Sequence, residues 1–248
     1  MTLKKWLVAI LSCVTIGAIG VGFSACEKEE TGGGSFVNEE ISSDLQYVIS
    51  EGGTYYSVVG VGMCEDRNIV VPATYKGLPV KEIMESAFSG QFYIASVKIP
   101  DGVMSIGVSA FSNCRSLKSV VIPESVTSIG ICAFQLCSSL TEIVSPDGVT
   151  IIGYKAFNEC SSLTSVVIPD RVTSIDSEAF SYCSSLTSVV IPDRVTSIGS
   201  GAFSYCDSLM SITFEGTVKE WNAISKDWNW NNFVPATEVV CSDGKVAL

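Results

Sequence analysis

The stretch Ile191-Pro192-Asp193-Arg194-Val195-Thr196-Ser197-Ile198-Gly199-Ser200-Gly201-Ala202-Phe203-Ser204-Tyr205-Cys206-Asp207-Ser208-Leu209 decides the fold, because its chemistry recurs upstream at a fixed step of 23 residues. Its Ala-Phe pair is preceded by Ala87-Phe88, Ala110-Phe111, Ala133-Phe134, Ala156-Phe157 and Ala179-Phe180. Its proline is preceded by Pro100, Pro123, Pro146 and Pro169, and its cysteine by Cys114, Cys137, Cys160 and Cys183. Leu117, Leu140, Leu163 and Leu186 anticipate Leu209, while Ile83, Ile106, Ile129, Ile152 and Ile175 anticipate Ile198. Self-similarity at such a period is the signature of a solenoid, in which each unit buries its apolar face only against its neighbours.

Within one unit, Leu117-Lys118-Ser119-Val120-Val121-Ile122 reads as a short β-branched strand, ended by Pro123, which has no N–H to give a ladder. Val126 and Ile129 are expected to point inward. Gly107, Gly130, Asp176 and Gly199 share a column with Gly153, and Gly and Asp tolerate positive φ, so that column is expected to hold a left-handed turn residue. Ala133-Phe134 then returns in a short helical or extended leg. A burial of roughly 1.5–3 kcal/mol for each Leu, Ile or Phe offsets chain ordering only when coils stack.

Both ends need caps. Leu45–Ile49, Tyr55–Val59 and Ile69–Val71 read as strands, with a turn at Gly52-Gly53. Downstream the pattern breaks after Phe214, where Thr217 and Glu220 stand in capping-box spacing ahead of a short helix. The expected fold is therefore a repeat solenoid: a right-handed, β-rich coil of short strands with an N-terminal β-hairpin cap and a C-terminal helix-and-strand cap. The expected organisation is a signal peptide over residues 1–25, a tether over 26–44, the N-terminal cap over 45–76, one degenerate and five regular repeats over 77–213, and the C-terminal cap over 214–248.

Lys4 and Lys5 precede an apolar run from Trp6 to Phe23, followed by small residues and Cys26, the layout of a secretory signal. Phe23-Ser24-Ala25-Cys26 resembles the motif at which bacterial lipoproteins are cleaved and acylated, with Phe23 in place of the usual Leu. That points to lipidation at Cys26; an ordinary cleaved signal and an uncleaved anchor helix are the alternatives. The charged and Gly-rich Glu27 to Ser35 suits a flexible tether.

Composition narrows function. A formal charge of −11 disfavours nucleic acid and anionic lipid headgroups, which require clustered Lys and Arg. The sequence holds no histidine, which removes triads, Cys-His dyads and the commonest metal ligand. No catalytic residue, cofactor or metal site is expected, and an enzyme of this composition would need two carboxylates converging in a pocket. The cysteine column reads as a buried thiol ladder, since five equivalent positions with parallel Cβ vectors cannot pair off as disulfides. Asp101, Glu124, Asp147, Asp170 and Asp193 form an acidic column that could attract Ca²⁺, although neighbouring Gly102, Ser125, Gly148, Arg171 and Arg194 favour ordinary turn chemistry.

The unit from Ile191 to Leu209 resembles the repeat of BspA-type leucine-rich repeat proteins, over about residues 77–213, and Phe214 to Thr217 with Trp221-Asn222 resembles segments that close such arrays. The resemblance implies a secreted or cell-surface bacterial solenoid, some relatives being adhesins, with no shared catalytic residues to carry over. Two surfaces are candidates for partners. Val121, Val144, Val167 and Val190, beside Ser119, Glu142, Ser165 and Ser188, would form a partly apolar strand face for an extracellular or host protein. Trp221, Trp228, Trp230 and Phe233 could form an aromatic patch that stacks glycans, or could pack the cap. The chain is expected to be a monomer held at a membrane by its lipid.

Overall fold

A computed structural model describes residues 41–248. Cys26, the signal segment and most of the tether lie outside the described residues. An antiparallel hairpin opens the described chain, β1 (Gln46–Ile49) pairing with β2 (Tyr56–Gly60) around a turn in which Gly53 has φ of 64°. Tyr47 and Tyr75 stack at 4.0 Å in this cap, with Tyr56 edge-on to both, and burial raises the Tyr47 phenol to about 12. Strands β3 (Asn68–Val70), β4 (Thr74–Tyr75) and β5 (Leu78–Ile83) lead into the coils.

Each coil contributes two short strands. One row contains β6 (Ser96–Lys98), β8 (Ser119–Val121), β10 (Glu142–Val144), β12 (Ser165–Val167), β14 (Ser188–Ile191) and β16 (Ser211–Phe214). The other contains β7 (Ser105–Ile106), β9 (Ser128–Ile129), β11 (Ile151–Ile152), β13 (Ser174–Ile175), β15 (Ser197–Ile198) and β17 (Ser225–Lys226). Hydrogen-bonded pairs between coils are parallel and mostly in 23-residue register, as in Ile143 facing Val166 and Ile175 facing Ile198. Parallel pairing follows from a coil that returns to the same start each turn.

The return leg is a run of turns, not a helix. Ser86, Ser109, Cys132, Lys155, Glu178 and Gly201 adopt φ of 53–63°, and four residues later Gly90, Asn113, Leu136, Glu159, Tyr182 and Tyr205 do the same at 60–72°. This corrects the expectation for the glycine column: φ there is not left-handed. Those glycines permit close approach instead. A Cβ on Gly130 would stand 2.5 Å from the Gly107 carbonyl carbon, and one on Gly199 would stand 2.5 Å from the Ser177 nitrogen. The left-handed turns let backbone link coil to coil, the Phe111 N–H donating to the Ala133 carbonyl at 2.8 Å and Phe134 to Ala156 at 2.9 Å.

Down the centre run two ladders. Phe88, Phe111, Phe134, Phe157, Phe180 and Phe203 stack with centroids 5.0–5.5 Å apart and nearly parallel planes. The column thiols from Cys114 to Cys206 each donate to the carbonyl of a phenylalanine in the preceding coil, Cys114 to Phe88 at 2.9 Å and Cys160 to Phe134 at 3.2 Å. They are unbridged, small apolar side chains, as column geometry requires. Burial pushes the Cys114 and Cys206 thiols up to about 12 and those of Cys137, Cys160 and Cys183 well above the usual range, so they stay protonated.

The C-terminal segment contains another coil in disguise. Helix α1 (Val218–Ala223) begins with Thr217, whose side chain accepts the Glu220 N–H while Glu220 accepts the Thr217 N–H. The Lys226 ammonium closes its far end, donating to the Trp221 and Ile224 carbonyls. Beyond this insertion Ser225 pairs with Ser197, and Phe203 donates to the Trp230 carbonyl as its predecessors do to alanines. Strand β18 (Glu238–Cys241) then pairs with β16, and β19 (Gly244–Ala247) folds back antiparallel to finish the sheet.

Candidate interaction surfaces

The strand face is built from the outward residues of the first row of strands. Val121 is 57 % exposed and Val144 is also exposed, but Val167 is 6 % exposed and Val190 half-buried. Val167 lies beside Val144 in the parallel register and, unlike it, is buried. The four valines therefore do not form a continuous apolar stripe, which corrects that expectation. Ser119, Glu142 and Ser188 are exposed beside them and Ser165 is half-buried.

The aromatic patch also divides, because its members belong to different columns of the disguised coil. Trp230 stands where earlier coils have the alanine, so it points inward, edge-on to Phe203 at 6.1 Å. Trp221, on the buried side of α1, packs on Phe214 at 5.4 Å and on Trp230 at 5.7 Å. These two tryptophans plug the end of the phenylalanine ladder and are unavailable to a ligand. Trp228, 88 % exposed, and Phe233, 67 % exposed, remain at the surface.

Phe233 leads to a feature that column reading alone did not single out. It occupies the second left-handed column of its coil, with φ of 62°, directly after Tyr205. Tyr182 stacks on Tyr205 at 4.5 Å, and Tyr205 on Phe233 at 4.6 Å, giving an exposed ladder of three rings. A left-handed residue other than Gly costs about 1–2 kcal/mol, and Asn or Asp bears it best. Asn113 fits that preference, whereas Tyr182, Tyr205 and Phe233 do not. Beside the ladder runs a groove of about 420 Å³ lined by Leu136, Glu159, Tyr182, Tyr205 and Asp207, with Arg115 at its far end. The Arg115 guanidinium is tied to the Asn113 side chain at 2.8 Å. The neighbouring carboxylates Glu159 and Glu178 make ionising Tyr182 harder, after partial burial and the adjacent Tyr205, and its phenol is raised.

A second trough of about 290 Å³ lies over the other strand row, between Tyr154 and Asp227. Ser197 donates to Ser174, and Ser174 to the Asp176 carboxylate at 2.7 Å, so these two hydroxyls are internally paired. In the acidic column, the Glu124 carboxylate accepts the Asp147 N–H, which is turn chemistry. Among the described residues no group of three or more metal-ligating side chains converges, and no helix is long and apolar enough to cross a membrane.

Stacked coils closed by their own ladders define a leucine-rich repeat scaffold. The chain belongs to the BspA-type leucine-rich repeat family, whose model matches six copies across residues 68–183 and 104–225. It is similar to a leucine-rich repeat protein of T. pallidum, at 32 % identity and a TM-score of 0.63, covering 67 % of this chain and 78 % of that one. It is also similar to a leucine-rich cell-surface protein of Faecalibacterium prausnitzii, at 32 % identity and a TM-score of 0.52, covering 71 % of this chain and 54 % of that one. A leucine-rich repeat protein of Bacteroides ovatus, 23 % identical over 83 % of this chain and 71 % of its own length with a TM-score of 0.50, shares the fold. No curated protein matches this chain.

Proposed function

We propose that this protein is a non-catalytic interaction scaffold displayed outside the cell, tethered through a lipid on Cys26, that binds an extracellular or host protein. The observation that carries the reading is the division of labour in each coil. Inward columns and the two rows of strands complete the fold by themselves, yet large apolar side chains such as Val121, Ile131, Tyr182 and Trp228 are left at the surface. Exposed apolar residues on a rigid surface are the raw material of partner sites. The family, and a similar protein described as a cell-surface protein, support the location.

Two experiments test it. Metabolic labelling with a palmitate analogue should mark the wild-type protein and spare Cys26→Ser; equal labelling refutes the anchor. The folded protein should bind a subset of arrayed extracellular proteins, and a blank array refutes the scaffold role.

The exposure of Trp228 favours a second reading, a glycan-binding accessory lipoprotein, since both faces of a free indole can stack on a sugar ring. Trp228→Ala should then abolish signals on a glycan array while leaving thermal stability unchanged; retained signals exclude it.

A further inference from the structure

We propose that the ladder Tyr182–Tyr205–Phe233 and its groove dock a lysine- or arginine-bearing peptide segment of a protein partner. The inference rests on the scaffold reading and names the face and the chemistry it uses. Three stacked aromatic rings form a rigid apolar strip, and rigid aromatics dominate protein interfaces because they bring large contact area at small entropic cost.

The same geometry argues against other occupants. Rings stacked at 4.5 and 4.6 Å cover one another's faces, so the ladder offers sugars little of the face on which they stack. An acidic segment would meet two carboxylates, Glu159 and Asp207, against one cation, Arg115 at the far end of the groove, and a chain of formal charge −11 behind them. A wholly apolar segment would strip water from those carboxylates and return nothing.

A basic side chain answers both features. Glu159 precedes Tyr182 in the same column, one coil away, which is about 4.8 Å. The face of Tyr182 not covered by Tyr205 looks toward Glu159, so an ammonium or guanidinium there meets a carboxylate and a ring face together. Asp207 offers a second carboxylate beside Tyr205. Nearby Lys155 does not neutralise the groove, being engaged with Glu178 at 3.5 Å. Apolar side chains flanking the cation would lie along Leu136 and the ring edges.

The test uses the full chain and three labelled peptides read by fluorescence anisotropy at physiological salt: Lys-Trp-Lys-Leu-Lys, its Glu counterpart and its Ser counterpart. The basic peptide should bind at least about tenfold more tightly than the others. Tyr182→Asn with Tyr205→Asn removes the rings while keeping the fold, because Asn113 already occupies that column with φ of 60°. This variant should lose about tenfold in affinity, and Glu159→Gln with Asp207→Asn should lose about fivefold. Glu51→Gln with Glu65→Gln removes the same charge from the N-terminal cap and should change affinity less than about twofold. Equal losses in the two charge variants would mean nonspecific attraction and overturn the proposal, as would unchanged binding in the tyrosine variant or no preference among the peptides. If Val121→Ser with Val144→Ser abolishes binding instead, the ladder is refuted and the scaffold reading stands.

Discussion

The same substitution at two positions of one column should have opposite effects. Gly130 and Gly153 are one coil apart, and in neither is φ left-handed. A Cβ on Gly130 would lie 2.5 Å from the Gly107 carbonyl carbon, 2.6 Å from the Val108 nitrogen and 2.7 Å from the Gly107 oxygen. All three are backbone atoms of the neighbouring coil, so no rotamer change relieves them. Normal contact needs about 3.5 Å, which means separating the coils locally by nearly 1 Å and weakening the ladders that join them. Overpacking of this kind costs about 1–3 kcal/mol. At Gly153 the nearest atoms are the Ile129 oxygen at 3.8 Å and the Ile131 nitrogen at 4.0 Å, ordinary van der Waals distances. There alanine restricts the unfolded chain without straining the folded one and stabilises by about 0.4–1 kcal/mol. Urea unfolding followed by circular dichroism should place the midpoint of Gly130→Ala below wild type and that of Gly153→Ala at or above it. At about 2–4 °C per kcal/mol for a chain of this size, melting temperatures should separate the two clearly. Equal midpoints, or Gly153→Ala the less stable, would refute the argument that close coil approach, and not backbone conformation, selects glycine here.

Phe157→Ala should cost about 3–5 kcal/mol, since it opens a cavity between rings at 5.5 and 5.4 Å, and a loss below 1 kcal/mol by denaturant titration would deny the ladder its role. Ser145 takes the place of Ile99, Ile168 and Ile191, buried with no partner for its hydroxyl, so Ser145→Val should stabilise by about 1–2 kcal/mol in the same assay. Thr217→Ala removes the N-cap of α1 and should cost about 1 kcal/mol without changing the fold. At pH 8 iodoacetamide should modify half-buried Cys132 well before Cys160, whose burial holds its thiol protonated; mass spectrometry showing equal rates would contradict the closed core.

Where a residue's chemistry and its coil position agreed, the sequence was a sufficient guide. Leu117, Ile129, Phe134 and Cys137 recur because each must match an identical neighbour, and each is buried. The left-handed positions were hidden for the opposite reason. Ser109, Cys132, Lys155 and Glu178 share φ near 55° but no chemistry, because hydrogen bonds to the next coil impose the conformation on whatever residue arrives. The final coil escaped a fixed-period search because α1 lengthens the step, Ser197 pairing with Ser225, and because Trp230 replaces the expected alanine. Trp221, Trp228, Trp230 and Phe233 thus look like one cluster in sequence and become two buried plugs and two surface rings in space.

That contrast also says where function can reside in such an array. A column held constant from coil to coil is already explained by stacking, so it carries no information about a partner. The second left-handed column is different: it runs Gly90, Asn113, Leu136, Glu159, Tyr182, Tyr205 and Phe233, and the backbone there tolerates glycine and asparagine at least cost. Three successive aromatics at that position work against conformational preference and leave apolar rings in water. Their mutual stacking offsets part of the strain but does not explain their exposure, since Phe88 through Phe203 already close the core. If stacking were their whole purpose, Tyr182→Asn with Tyr205→Asn would lower stability and leave every binding signal intact. If they are an interface, stability should change little and binding should fall, so measuring both on one protein separates the two explanations.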